Sequence, residues 1–201
     1  MGKVFMLCAP SGAGKTSIAR KIIKRDGRLI ISISHTTREP RLGEIDGKDY
    51  NFVSRECFED LSKKNQFIEK AEVYGNLYGT SRDWVMNNLK EDKDILLEID
   101  SIGAAQIRAN IERTVSIFIL PPSLKALEAR LINRRQDTPE VIKTRLKLMH
   151  KELAHINEFD YVIINKDLDH AVDEFASILR AERLRFESQS YEIKKCLDED
   201  L

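Results

Sequence analysis

Cysteine is scarce in this chain: Cys8, Cys57 and Cys196 are the only three among 201 residues. An odd number at such wide spacing excludes a disulfide framework and fits no zinc or redox motif. The three read as small apolar or incidental residues in a reducing compartment. Long hydrophobic runs are missing too. No stretch approaches the roughly 20 apolar residues of a membrane-spanning helix. The opening MGKVFMLC passes too soon into APSG to serve as a secretory leader. Met-Gly could suit N-myristoylation, but position 6 is Met rather than Ser or Thr. A cytoplasmic protein without a membrane partner is expected. No charge sign is in excess either, since 33 Lys and Arg face 33 Asp and Glu. That balance argues against a sequence-independent nucleic-acid binder. There is no internal repeat and no low-complexity tract.

What is present is an ordinary globular composition, 42% hydrophobic and 33% charged, at a length that suits one domain. Short β-rich runs alternate with longer helical patterns. Val4 to Cys8, Leu29 to Ser34, Asp94 to Asp100, Val115 to Leu120 and Tyr161 to Ile164 read as strands. Their apolar runs are continuous rather than alternating, the mark of strands covered on both faces, as in a parallel sheet. Between them lie helical stripes: Leu124, Leu127 and Leu131; Ile142, Leu146, Met149, Leu153 and Ile156; Leu168, Val172, Phe175 and Leu179. Strand alternating with helix predicts an open α/β sheet. From Thr36 to about Lys90 the rhythm breaks into polar sequence with spaced aromatics and glycines, which predicts a separate lobe of short strands and two short helices. A second irregular piece, NRRQDTPE, spans Asn133 to Glu140, with Pro139 placed for a helix restart. The C-terminal SQSYEIKKCLDEDL reads as a frayed helix.

The chemistry starts at residues 9–16, APSGAGKT, between the first strand and the first helix. A phosphate loop has the pattern G-x-x-x-x-G-K-[ST] in that context. Gly14, Lys15 and Thr16 match it, and Ala9 departs from it. Glycines let backbone N–H groups turn toward phosphate oxygens, and a helix N-terminus adds partial positive charge. The loop residues Ala9, Pro10, Ser11, Gly12, Ala13 and Gly14 are therefore expected around the phosphates of a nucleoside triphosphate, with Lys15 as the point charge and Thr16 as the Mg²⁺ ligand. Gly12 is expected to carry the turn, and alanine at position 9 is the smallest alternative to glycine.

A second set of polar residues lies in the polar lobe. Arg38 and Arg41 sit three apart, followed by Tyr50 after GKD. Two guanidiniums and a phenol can clamp one phosphate group. Further on come Glu69, Tyr78 and Thr80. A carboxylate against a purine can accept from both N1–H and the 2-amino group of guanine, whereas adenine offers it acceptors.

With SGAGK, SHTTREPRLGEIDGKDYNFV, FIEKAEVYGNLYGTS, IFILPPS, RLINRRQD and VIINKDLDHA in place, the chain resembles the guanylate kinases of bacterial type from about Lys3 to Arg183. The resemblance implies a phosphate-loop nucleoside monophosphate kinase fold, an open and mostly parallel sheet flanked by helices. It implies one domain over 1–201: a core of 1–35 and 91–201, a GMP-binding lobe at about 36–90 and a short lid at about 133–140. It implies an ATP:GMP phosphotransferase using ATP and Mg²⁺, with GMP and also dGMP as acceptors; a homo-oligomer is compatible with it. Ser34, Arg38, Arg41, Tyr50 and Tyr78 would surround GMP, chiefly its phosphate, and Glu69 and Thr80 would read the base. Asp100 would contact the acceptor nucleotide or orient the metal's water shell. Arg130, Arg134 and Arg145 would reach the transferring phosphoryl, and Asn165 would lie near the adenine. Lys15, Arg38, Arg134 and Arg145 are the catalytic candidates. In-line transfer to an acceptor that is already an anion needs charge neutralisation and positioning more than a general base.

The chain departs from the family pattern in EIDSIGA, where Glu98 stands for an aspartate and Ile102 for a glutamine, and in the lid, where Asn133-Arg134-Arg135 stands for Gly-Arg-Gly. Two other readings fit the residues: a phosphate-loop kinase for a different phosphorylated acceptor, and a non-catalytic binding module. Retention of Gly14, Lys15 and Thr16 weighs against the second.

Overall fold

The computed structural model describes residues 2–73, 75–133 and 152–198. Arg134, Arg135 and Arg145, the restart at Pro139 and the helical positions Ile142, Leu146 and Met149 lie outside the described residues. The elements run β1 (Val4–Cys8), α1 (Lys15–Arg25), β2 (Leu29–Ile31), β3 (His35–Thr36), β4 (Asn51–Phe52), α2 (Arg55–Lys63), β5 (Phe67–Val73), β6 (Asn76–Ser81), α3 (Arg82–Lys90), β7 (Asp94–Glu98), α4 (Ser101–Asn110), β8 (Thr114–Leu120), α5 (Leu124–Asn133), β9 (Tyr161–Ile164), α6 (Leu168–Arg183) and α7 (Phe186–Asp198). None of the described helices is long and apolar enough to cross a membrane.

Five strands form one parallel sheet in the order β2-β7-β1-β8-β9. Alternate residues of β1 point to opposite faces. Phe5 and Leu7 join Leu96, Ile117, Ile18 and Phe175 on the side of α1 and α6. Met6 and Cys8 join Leu97, Phe118, Val85 and Ala104 on the side of α3 and α4. Both faces are therefore dry, which is why these strands read as unbroken apolar runs. Fully burying a Val, Leu, Ile, Phe or Met side chain there contributes about 1.5–3 kcal/mol.

Three expectations are adjusted. The second strand ends at Ile31 rather than Ser34, although Ser32 N–H still donates to Leu96 O at 3.0 Å. The third ends at Glu98, because Asp100 leaves the sheet to cap α4, its side chain accepting from Gly103 N–H. The stripe on α5 holds at Leu127 and Leu131, each 1% exposed, but Leu124 is 51% exposed. Leu124 opens the helix, and a helical side chain covers the turn before its own Cα, where no core element lies.

The polar insertion forms a second sheet, ordered β4-β3-β6-β5, with β5 and β6 antiparallel. Phe58 of α2 stacks on Phe67 of β5 at 4.4 Å between ring centroids. This sheet is tied to the core through α4: the Gln106 amide accepts from Lys70 N–H at 3.0 Å and donates to Lys70 O at 2.8 Å. Trp84 of α3 packs with the core cluster that holds Val85 and Leu89.

Candidate active site

In an open parallel sheet, ligands bind at the carboxyl ends of the strands, near the point where the order reverses. Here β1 lies between β7 and β8, and its carboxyl end runs straight into residues 9–14. Gly12 and Gly14 both take left-handed backbone, with φ of 94° and 103°. The strain expected at Gly12 is thus shared with Gly14, the N-cap of α1. A Cβ at Gly14 would also sit 2.3 Å from Asn165 Nδ2. That amide donates to Ala13 O at 2.8 Å, and Arg130 donates to the same carbonyl at 3.3 Å and to Asn165 O at 3.0 Å. In a trans peptide the N–H points opposite the C=O. Tying Ala13 O to Asn165 and Arg130 turns Gly14 N–H the other way. Asn165 is 4% exposed, so it supports the loop from behind.

Lys15 Nζ donates to Ile99 O at 3.3 Å, which bridges the loop to the end of β7. The Thr16 hydroxyl donates to Glu98 Oε2 at 3.0 Å, leaving its lone pairs free for a cation. The extra methylene of Glu98 is what extends from β7 to Thr16. Among the described residues no group of three or more His, Cys, Asp or Glu could cage a metal. Hydroxyl and carboxylate oxygens beside phosphates are nonetheless the donor set that Mg²⁺ takes while keeping several waters, so the residues fit that ion.

One cleft of about 260 Å³ is lined by residues 9–12 and 14–16 and by Ser34, Arg41, Tyr50, Glu69, Tyr78 and Asp100. Arg38 stands behind this wall, its guanidinium 5.4 Å from the Tyr50 ring centroid and 5.8 Å from that of Phe52. Tyr50 and Tyr78 meet edge to face at 5.9 Å. Glu44 was not singled out in the sequence, yet it fixes this cluster. Its two carboxylate oxygens each accept from Arg38 Nη2 at 2.9 Å, and Oε2 accepts from Arg41 N–H at 2.8 Å. Burial works against the Arg38 charge, but the Glu44 hydrogen bonds more than offset it and the guanidinium pKa is raised. The GE dipeptide after PRL was the available signal.

Glu69 is 4% exposed and accepts from the Thr80 hydroxyl at 2.5 Å. Burial, against that hydrogen bond and with Asp100 adding to it, pushes its carboxyl up to about 7. Thr80 is fully buried and acts on Glu69 rather than on the cleft. Sequence reading also missed Glu152. It lines the cleft, and its Oε2 is buried without a hydrogen-bond partner among the described residues. Burial pushes its carboxyl up to about 7, with Lys15 opposing and Asp100 assisting. Cys8 is no nucleophile, since burial pushes its thiol up to about 12. Of the catalytic candidates, Lys15 and Arg38 are brought to this region, and Arg134 and Arg145 lie outside the described residues.

A phosphate loop at the centre of a parallel sheet, facing a wall of arginine, tyrosine and a buried carboxylate, defines a nucleoside monophosphate kinase of the phosphate-loop class. A family model described as guanylate kinase matches residues 1–182. The guanylate kinase of Nitrosomonas europaea is 49% identical over 185 residues, covering 92% of this chain and 92% of that protein. That of Hahella chejuensis is 50% identical over 188 residues, covering 94% of this chain and 90% of that protein. The crystal structure of guanylate kinase from Anaplasma phagocytophilum superposes with a TM-score of 0.78 at 38% identity, covering 92% of this chain and 87% of that chain. The chain belongs to the guanylate kinase family and so to the transferases.

Proposed function

We propose that this cleft transfers the γ-phosphoryl of ATP to the phosphate of GMP, giving ADP and GDP. The observation that carries the reading is the single cleft that joins the phosphate loop to Arg41, Tyr50, Tyr78 and Glu69. Donor and acceptor phosphates can then meet in one space. The loop amides and Lys15 hold the ATP phosphates, and Arg130 and Asn165 keep the loop in shape. Arg41, Tyr50 and Tyr78 take the GMP phosphate together with Arg38, whose fork Glu44 orients; Ser34 adds a hydroxyl. Glu69 reads guanine. An ionised carboxylate has about four lone-pair positions, enough for the Thr80 hydroxyl and for both N1–H and the 2-amino group. Asp100 lies beside Glu69 and orients the acceptor.

Mg²⁺ would be held by Thr16, with Glu98 behind it, and would supply neutralisation of the charge spread over the phosphates. The arginines at 134 and 145 are proposed, from the family likeness alone, to reach the transferring group. The division into core, GMP-binding lobe and lid is proposed with them, as are a cytoplasmic location and acceptance of dGMP.

A coupled assay of ADP release across GMP, dGMP, AMP, UMP and CMP tests the reading. GMP should be the best acceptor, with dGMP next. Faster turnover of AMP or UMP would remove Glu69 from the role of base reader. GMP binding without ADP formation would favour the non-catalytic alternative.

A further inference from the structure

Gly103 lies in the first turn of α4 and is buried. After proline, glycine is the poorest helix former. The backbone at 103 does not demand it, since Gly103 is not among the described residues with positive φ. The demand comes from across the gap. A Cβ built on Gly103 would lie 2.8 Å from Glu69 Oε2, and 3.3 Å from both Asp100 Oδ1 and Ile99 Cβ. We infer that Gly103 is a specificity-positioning residue: the space left by its missing side chain holds the Glu69 carboxylate in register for guanine.

Each way of relieving an added methyl is closed except one. The helix cannot back away, because Gln106, one turn on, is bonded to both the N–H and the carbonyl of Lys70, the residue after Glu69. Gly103 N–H is itself held by Asp100 Oδ1 at 2.7 Å. Ala104 and Ile107 are each 0% exposed and packed in the core. The movable partner is the far end of Glu69, whose other oxygen is tied to Thr80. An alanine at 103 therefore leaves the fold standing and pushes the carboxylate aside. The helix itself gains, because alanine is the better helix former.

The inference rests on the reading of Glu69 as the guanine reader, and its test separates the two. Full-length wild type, Gly103→Ala, Glu69→Gln and the double variant are compared by thermal melting and by steady-state kinetics with GMP, IMP and ATP. IMP lacks the 2-amino group, so the GMP-to-IMP ratio of kcat/KM reports on the second hydrogen bond to Glu69. Gly103→Ala should melt at or above the wild-type temperature. Its KM for GMP should rise about tenfold, the scale of one misaligned charged hydrogen bond, its KM for ATP should hold within about twofold, and its preference for GMP over IMP should shrink. In the Glu69→Gln background the same change should add little, because residues acting through one contact are not additive. Unchanged KM for GMP and unchanged GMP-to-IMP ratio in Gly103→Ala overturn the inference, as does a full additional effect in the Glu69→Gln background. If Glu69→Gln itself leaves the ratio unchanged, the guanine reading fails and the inference with it. If Gly103→Ala melts far below wild type, adding Glu69→Ala should restore it; failure to restore it overturns the contact.

Discussion

At the scale of single residues, the site divides into groups that carry charge and groups that aim it. Lys15 carries it. Its ammonium rests on the Ile99 carbonyl at 3.3 Å, one neutral contact that a strongly anionic ligand displaces, and its three donors make it a compact point charge. Lys15→Ala should lower kcat by at least about 10²-fold, the cost of one preorganised electrostatic donor. GMP affinity should stay close to wild type, because Lys15 belongs to the donor half of the cleft. Coupled ADP release and a GMP titration check the two halves, and an unchanged kcat would take the loop out of the reaction. Glu44 aims. It binds the Arg38 guanidinium through both oxygens and the Arg41 backbone N–H through one, so the Arg38 fork and the backbone that carries Arg41 are held before any phosphate arrives. The charged residues are legible in the sequence because their type names their chemistry. The aiming residues are not: Glu44 and Gly103 matter through what stands opposite them, and that is set by the fold.

At the scale of elements, the sheet has a chemical end and a structural end. The carboxyl ends of β1 and β7 open on the cleft, and the amino ends are closed by α6. Arg183 of α6 donates to Asp94, at the start of β7, at 2.7 Å and to Asp26 at 2.6 and 3.2 Å. Asp94 also accepts from Lys3 N–H at 2.9 Å and is 2% exposed. Removing one partner from a buried charged network leaves the other uncompensated. Arg183→Ala should cost about 2–3 kcal/mol, less than a fully buried pair because Arg183 keeps partial solvent contact, and kcat should be unaffected because the network lies at the other end of the sheet. Denaturant unfolding and kinetics on one sample check both statements. The central strands are legible because burial on both faces writes continuous apolar runs into the sequence. The phosphate loop is legible because glycine, lysine and threonine at fixed spacing follow one of those strands. The short strands of the second sheet are legible only as an irregular lobe. β3 and β4 have two residues each and owe their existence to pairing with β6 and with each other, a long-range fact with no local signature. The stripe through Leu124 overreaches for a related reason, since periodicity shows a face but not where its cover ends.

At the scale of the whole molecule, the cleft makes stability depend on pH. Burial raises Glu69 and Glu152 to about 7 from an ordinary value of 4.5. Between about 4.5 and 7 the folded protein keeps protons on both groups that the unfolded chain has released, so the unfolded state binds fewer. Stability then falls as pH rises through that window, by up to about 1.4 kcal/mol per pH unit for each group. His35 acts in the opposite sense. Burial lowers its pKa from 6.5, so its contribution is lost as pH falls through the region just below 6.5. Asp26, Asp92, Glu158 and Asp173 are all lowered from ordinary values of 3.8 or 4.5, and their stabilisation is lost only in more acidic solution. Two raised carboxyls outweigh one lowered imidazole, so the nucleotide-free protein should melt at a higher temperature at pH 5 than at pH 7.5. Glu69→Gln should remove roughly half of that difference, because the amide still accepts from Thr80 but does not titrate. Saturating GMP should flatten it as well, since guanine binds the ionised carboxylate and lowers its pKa. The same coupling predicts that KM for GMP rises as pH falls below about 7 in wild type and loses that dependence in Glu69→Gln. A melting temperature that climbs from pH 5 to pH 7.5 without nucleotide, by the same amount in wild type and Glu69→Gln, would mean that the carboxylate is already ionised in the empty cleft. Guanine would then find its reader fully charged at every pH in the range, and the empty cleft would carry no penalty for binding to relieve.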